Sequence, residues 1–181
     1  ADVVVELLHQ IGLQTGKKND LSVGVICTYG MQAAIIKRKI KNDKSLLDLR
    51  KRDVERLIVS TVDDFQGDER DIIILSMVRN PTNWRNLRTR YNLDFIQEYQ
   101  RINVAITRPR KLLIIVGAKD FLAEKALVSL PSESGKMQQD VHIFEKIINT
   151  VNREGRVVFM DDLVNTREYQ QMNSNKTNKV F

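Results

Sequence analysis

The chain has 181 residues, 42% hydrophobic and 29% charged, with a formal net charge of +6. That balance fits one globular domain with a sizeable core, excludes a disordered or membrane-embedded chain, and suits a polyanionic partner. A single cysteine, Cys27, and two histidines, His9 and His142, exclude a disulfide framework and a Cys- or His-rich metal centre.

In chain order, Asp2–Ile11 has the apolar spacing of a helix, with Val4, Leu7, Leu8 and Ile11 on one side, and Gly12–Leu21 reads as a polar loop. Val23–Thr28 is a continuous apolar run, the pattern of a strand buried on both faces. Met31–Lys41 is helical, with Ala33, Ala34, Ile36 and Ile40 inward and Lys37, Arg38 and Lys41 outward; Met31 and Met77 are expected in the core. Leu57–Val62 and Asp71–Val78 are two further strands, followed by a polar insertion at Asn80–Asn92. Helical spacing returns over Asp94–Thr107, then Leu112–Gly117 is a strand and a short helix starts at Lys119. Pro131–Gly135 is a loop, and Asp140–Arg153 a helix with Ile143, Ile147 and Ile148 in its apolar stripe. Strand–helix alternation of this kind predicts an α/β domain with a mostly parallel sheet between helices. Ligands of such sheets gather beyond the carboxyl ends of the strands, so Tyr29–Gln32, Asp63–Arg70 and Arg108–Lys111 are expected there. No apolar run approaches the ~18 residues of a membrane span. No secretory leader is read at the start, and the expected compartment is the cytoplasm, or the nucleus in a eukaryote.

Three segments bear on chemistry. Gly12 and Gly16–Lys18 brush against a phosphate-binding loop, but the spacing is one residue short and Lys18 replaces the metal-binding hydroxyl. Ser60–Asp71 (STVDDFQGDERD) leaves a strand, turns at Gly67 and carries Asp63, Asp64, Asp68, Glu69 and Asp71. Such carboxylates suit a two-metal nuclease, a solvated turn, or a nucleotide-edge loop in which Gln66 and Gly67 admit close approach and Glu69 accepts from sugar hydroxyls. In Gln100–Lys111 (QRINVAITRPRK), Arg101 and Arg108 are two helical turns apart and Pro109 ends the helix near Arg108. A guanidinium at that edge suits a phosphate, and it also suits a nearby carboxylate.

Together, Val23–Gln32 (VGVICTYGMQ), Ser60–Ser76 (STVDDFQGDERDIIILS) and Gln100–Arg110 (QRINVAITRPR) resemble motifs IV, V and VI of superfamily 1 helicases. The nearest branch is the up-frameshift and senataxin-like group. The resemblance is strongest over residues 1–125 and implies the second of two RecA-like motor domains, spanning 1–162, with a polar tail at 163–181. It implies ATP with Mg²⁺ as cofactor, the Mg²⁺ ligands lying on a first motor domain that is the partner within one parent chain. By the same resemblance Arg108 matches the arginine finger, and Gln66, Gly67, Glu69 and Arg101 match nucleotide-site positions, Arg101 tying motifs V and VI together. Thr61 matches a contact to the backbone of single-stranded RNA or DNA, and Tyr29 and Gln32 match motif IV. Movement would run 5′ to 3′.

Two departures stand out. Pro109 follows the finger position, where the group usually has alanine, and the insertion carries Trp84, Arg85, Arg88, Arg90 and Tyr91. Arginines interleaved with aromatics suit stacking on single-stranded bases, so Arg85 and Arg88 join the nucleic-acid candidates. The alternative to a motor domain is a non-catalytic nucleic-acid-binding module that keeps the helicase fold.

Overall fold

Five consecutive buried residues, Val23–Cys27, form strand β1. A run with no polar alternation is stable only where both faces are covered, and the topology supplies that cover. In the structure, a computed structural model that describes residues 1–15, 21–46, 56–78, 98–125, 128–131 and 138–159, β1 lies inside a four-stranded sheet. Strands β2 (Leu57–Thr61) and β3 (Arg70–Ser76) flank it, and β4 (Pro109–Val116) pairs with β3, giving the order β2-β1-β3-β4 with every pair parallel. Cys27 stands opposite Thr61 and Ser76 at one end of the sheet, and Val23 opposite Leu57 and Ile72 at the other.

Helix α1 (Asp2–Thr15) precedes β1, α2 (Gly30–Asn42) connects β1 to β2, and α3 (Tyr99–Thr107) leads into β4. The chain steps one way from β1 to β2 and the other way from β3 to β4. Right-handed crossovers in opposite directions put their helices on opposite faces. The result is the three-layer α/β architecture that strand–helix alternation predicted, and it agrees with the RecA-like domain that the resemblance implied.

The side-chain period of two divides the core accordingly. Val23, Val25, Cys27, Val59, Ile72 and Ile74 pack with Val4 and Leu8 of α1 and Ala33, Ile36 and Ile40 of α2. The alternate residues Ile26, Ile73 and Leu75 are buried too, as is Phe65. Gly24 explains part of that second packing, because a Cβ there would lie 2.5 Å from Phe65 Cζ and 2.7 Å from Ile73 Cδ1. Burial pushes the Cys27 thiol up to about 11, so Cys27 packs as a small hydrophobe. His9, also buried, meets Asp43 Oδ2 through Nε2 at 3.0 Å and ties α1 to the residue that ends α2.

Several local expectations are corrected. Helix α1 runs through Gly12 to Thr15, because one glycine costs a helix only about 1 kcal/mol. Strand β4 begins at Pro109, three residues before its apolar run, since exposed Arg110 and Lys111 at a sheet edge tolerate polarity. Met31 is 76% exposed and Ala34 is exposed, both on the outer side of α2, while Met77 is buried. An antiparallel hairpin, β5 (Val128–Pro131) with β6 (Gln138–Val141), stands where a loop and a helix start were expected. After α4 (Lys119–Lys125) and this hairpin, α5 starts at Ile143 and ends at Glu154.

The chain divides into two compact units, Ala1–Glu145 and Lys146–Phe181. In the second, the last turns of α5 close with Gly155 N–H donating to the Val151 carbonyl at 2.9 Å. The expected boundary at 162, the tail at 163–181, the Asn80–Asn92 insertion and the first residues of the Asp94–Thr107 helix lie outside the described residues. No described helix is long and apolar enough to cross a membrane.

Candidate nucleotide and nucleic-acid site

Between β2 and β3 the chain must return from the carboxyl end of one strand to the amino end of a parallel one. It does so through a tight turn over residues 62–67, in which Phe65 N–H donates to the Thr61 and Val62 carbonyls at 3.1 Å. Phe65 is buried, which pins the turn to the core. Gly67 has φ +88°, a left-handed conformation that favours glycine. A Cβ there would meet nothing, so backbone strain alone selects the residue. Gln66 and Gly67 are exposed.

The five carboxylates between Asp63 and Asp71, in the turn and the start of β3, are spread among five separate attachments. Asp63 Oδ1 accepts from Arg101 Nε at 3.1 Å, and Asp64 Oδ2 from the Thr61 hydroxyl at 2.9 Å. Asp68 accepts from Arg70 Nη1 at 2.6 Å, and Glu69 Oε2 from Arg110 Nε at 3.4 Å. Asp71 Oδ2 accepts from both the Ser22 amide and its hydroxyl at 2.9 Å, and Lys111 Nζ stands 3.1 Å from Oδ1. The Ser22 amide first, then Lys111 and the Ser22 hydroxyl, hold the Asp71 carboxyl down at about 2. Asp71 is thus a fastener of β3 to the segment entering β1. Among the described residues no group of three His, Cys, Asp or Glu could hold a metal ion.

Helix α3 carries both candidate arginines. Ile102 and Ala105 are buried, which fixes its rotation. Arg101, in the first turn, bonds Asp63 and also lies 3.2 Å from Glu98 Oε1. Arg108 takes helical dihedrals at the end of α3 (φ −81°, ψ −23°), and Pro109, with no N–H, cannot continue the ladder. Its Nε donates to the Val104 carbonyl and its Nη2 to the Thr107 hydroxyl, each at 3.1 Å. Thr107 in turn donates to the Asn103 carbonyl at 2.7 Å. All these acceptors are neutral. Among the described residues no carboxylate pairs with Arg108, so the charge of this half-exposed guanidinium is uncompensated there and fits an anionic phosphate.

Strand register sorts the candidates into two groups at opposite ends of the sheet. Arg70 pairs with Pro109, and the Arg70 N–H donates to the Arg108 carbonyl at 3.2 Å. Glu69, Arg108 and Arg110 therefore meet at the amino ends of β3 and β4, not beyond the carboxyl ends, where the preference of ligands for that side of a parallel sheet led them to be expected. Chain order sets this: Glu69 directly precedes β3, and α3 runs back along the sheet so that Arg108 directly precedes β4. Thr61, Tyr29 and Gln32 lie at the carboxyl ends. There Gln32, itself buried, donates from Nε2 to the Ser76 hydroxyl at 3.3 Å, joining the first turn of α2 to the end of β3. The two groups are separated by the length of β3, whose seven residues Arg70–Ser76 span roughly 20 Å at about 3.3 Å per residue.

Sequence reasoning passed over Ser22, Arg110 and Lys111, which fasten this end of the sheet, and gave Asp63 and Glu98 no partner. The only sequence signal was the density of opposite charges in Asp63–Asp71 and Arg108–Lys111. Arg85 and Arg88 lie outside the described residues.

Comparison with known proteins bears directly on this arrangement. A family model described as an AAA domain matches residues 1–120. The chain is 34% identical over 121 residues to the DNA polymerase alpha-associated DNA helicase A of Saccharomyces cerevisiae, covering 67% of this chain and 16% of that protein. It is 37% identical over 111 residues to the human RNA helicase Mov10l1, covering 61% of this chain and 8% of that protein. It is 33% identical over 102 residues to helicase sen1 of Schizosaccharomyces pombe, covering 55% of this chain and 5% of that protein. The matched stretch is thus a small part of each of these relatives. The chain belongs to the AAA-domain family, in its branch of superfamily 1 helicases of the up-frameshift and senataxin-like group.

Proposed function

We propose that this chain is the C-terminal motor domain of an ATP-dependent helicase acting on RNA or DNA. In this reading ATP with Mg²⁺ binds between this domain and an N-terminal RecA-like domain of the same parent protein, which supplies the metal ligands. Bound ATP supplies the hydrolysable phosphoanhydride; the residues here bind and orient. Arg108 stabilises charge on the transferring phosphoryl group, an electrostatic role for which a rigid guanidinium is suited. Glu69 accepts from the ribose hydroxyls once Arg110 yields it, and the Gln66–Gly67 turn lets the nucleotide approach closely. Arg101 holds the turn against α3. At the opposite end Thr61 and Tyr29 meet the single strand and movement runs 5′ to 3′, while Gln32, expected as a contact but buried against Ser76, positions the start of α2 instead.

The observation that carries this reading is the backbone pairing that sets Glu69 and Arg108 side by side at the starts of β3 and β4, with the Arg108 guanidinium bonded to neutral acceptors of its own helix and to no carboxylate among the described residues. The two ends of the sheet then serve the two ligands, so closure on one ligand moves the other. The test uses the purified chain alone, which carries half of the proposed site. It should hydrolyse ATP no faster than background with or without single-stranded nucleic acid. Sustained turnover by the pure chain contradicts the half-motor account.

A further inference from the structure

Helix α2 begins at the carboxyl end of β1, beside Tyr29, and carries no acidic residue along its 13 residues. Gln32, Ala33, Ile36 and Ile40 are its buried side. At 100° per residue, Met31, Ala34, Lys37, Arg38 and Lys41 fall together on the opposite side, and all five are exposed. Lys39 is set to one side of this strip and pairs with Asp2 at 2.7 Å. Among the described residues Lys37 and Arg38 form no ion pair. Attraction of cations to a helix carboxyl end is worth about 0.3–1 kcal/mol within the last turn. It accounts for Lys39 and Lys41 more readily than for Lys37 and Arg38 farther up.

We infer that the outer strip of α2 is an extension of the single-strand track, with Lys37, Arg38 and Lys41 contacting successive phosphates of an RNA or DNA strand. The strip starts where the proposed track ends, at the exposed Met31 next to Tyr29. It runs roughly 15 Å to Lys41, at 1.5 Å per residue. Exposed Ala34 leaves the floor of the strip low between the apolar start and the cationic end. Met31 offers a polarizable surface to a base, and the cations beyond it match a phosphate backbone in charge and direction. This inference rests on the nucleic-acid reading above and adds to it the path the strand takes.

The test measures affinity of the full chain for labelled oligothymidylate and oligouridylate across a series of potassium chloride concentrations. Each phosphate contact on a single strand contributes about −0.7 to the slope of log K against log salt. Lys37→Ala, Arg38→Ala and Lys41→Ala combined should therefore reduce the slope by about 2 and weaken binding at least about tenfold near 0.1 M salt. Arg38→Ala alone should reduce it by about 0.7, which keeps the test usable if the triple variant folds poorly. Lys39→Ala, one charge off the strip, should keep the wild-type slope. If the wild-type chain binds neither strand, the nucleic-acid reading itself fails. If it binds but the triple variant keeps its slope, or Lys39→Ala loses as much as Arg38→Ala, the strip is only a solvated face and the inference is overturned.

Discussion

Arg101 Nε donates to Asp63 Oδ1 at 3.1 Å across 38 residues of sequence, and this pair fastens the turn after β2 to the first turn of α3. The two segments it joins are those that carry the nucleotide candidates Gln66, Gly67, Glu69 and Arg108. Both side chains are substantially exposed, 33% for Arg101 and 62% for Asp63. The pair is therefore placed to set geometry more than to hold the fold.

Arg101→Ala should cost less than about 1 kcal/mol of stability, the usual ceiling for an exposed ion pair. In the proposed parent helicase the same variant should lower ATP turnover by at least about tenfold, because the turn and α3 lose their common fastening. Asp63→Ala should do the same, and the double variant should be no worse than either. Chemical denaturation and a double-mutant cycle on turnover check this; additive losses would show that the two residues act separately.

Acid stability should report Asp71. Its folded value of about 2 lies below the ordinary carboxylate range, so its contribution is complete above about pH 4 and is lost as pH falls through about 2. Asp71→Asn should cost about 1–2 kcal/mol at neutral pH and almost nothing near pH 2. Denaturation of both proteins at a series of pH values checks the sign. A difference that grows toward low pH would remove Asp71 from this role.

Two glycines should respond differently to alanine. At Gly24 the new Cβ meets Phe65 and Ile73 at distances that require the core to shift, which costs about 1–3 kcal/mol. At Gly67 there is open space, and the cost is the left-handed backbone alone, about 1 kcal/mol. Gly67→Asn should recover part of that loss, since asparagine visits the left-handed region, whereas Gly24→Asn should be worse than Gly24→Ala. Thermal unfolding of the four variants distinguishes packing from backbone strain.

The central strands were legible because burial on both faces leaves continuous apolar runs, as in Val23–Cys27 and Ile72–Leu75. Sequence reasoning did less well wherever an element lies at an edge. Strand β4 hid its first three residues behind proline and two cations, and the β5–β6 hairpin has no alternating pattern in Gln138–Val141 to announce it. Met31 looked like core because methionine is apolar, yet its angle on α2 faces outward. The site divides along the same line. Its residue types were readable from motif order and spacing, whereas the pairing of Asp63 with Arg101, or of Asp71 with Ser22, depends on the return of α3 and on strand register. The placement of Glu69 and Arg108 at strand amino ends was available from chain order, since each precedes an apolar strand run, but the general preference of ligands for strand carboxyl ends pointed the other way.

Arg108 carries the proposed chemistry, and its direct check is ATP turnover of the proposed parent helicase with saturating single-stranded RNA or DNA, wild type against Arg108→Ala. Nucleic-acid-stimulated turnover should fall about 10³–10⁵-fold in the variant while strand affinity stays within about threefold. Turnover within about tenfold of wild type would contradict the assignment of Arg108 as the finger. A parent protein that grips single strands with no turnover at all would mean that the helicase fold has been kept here for binding.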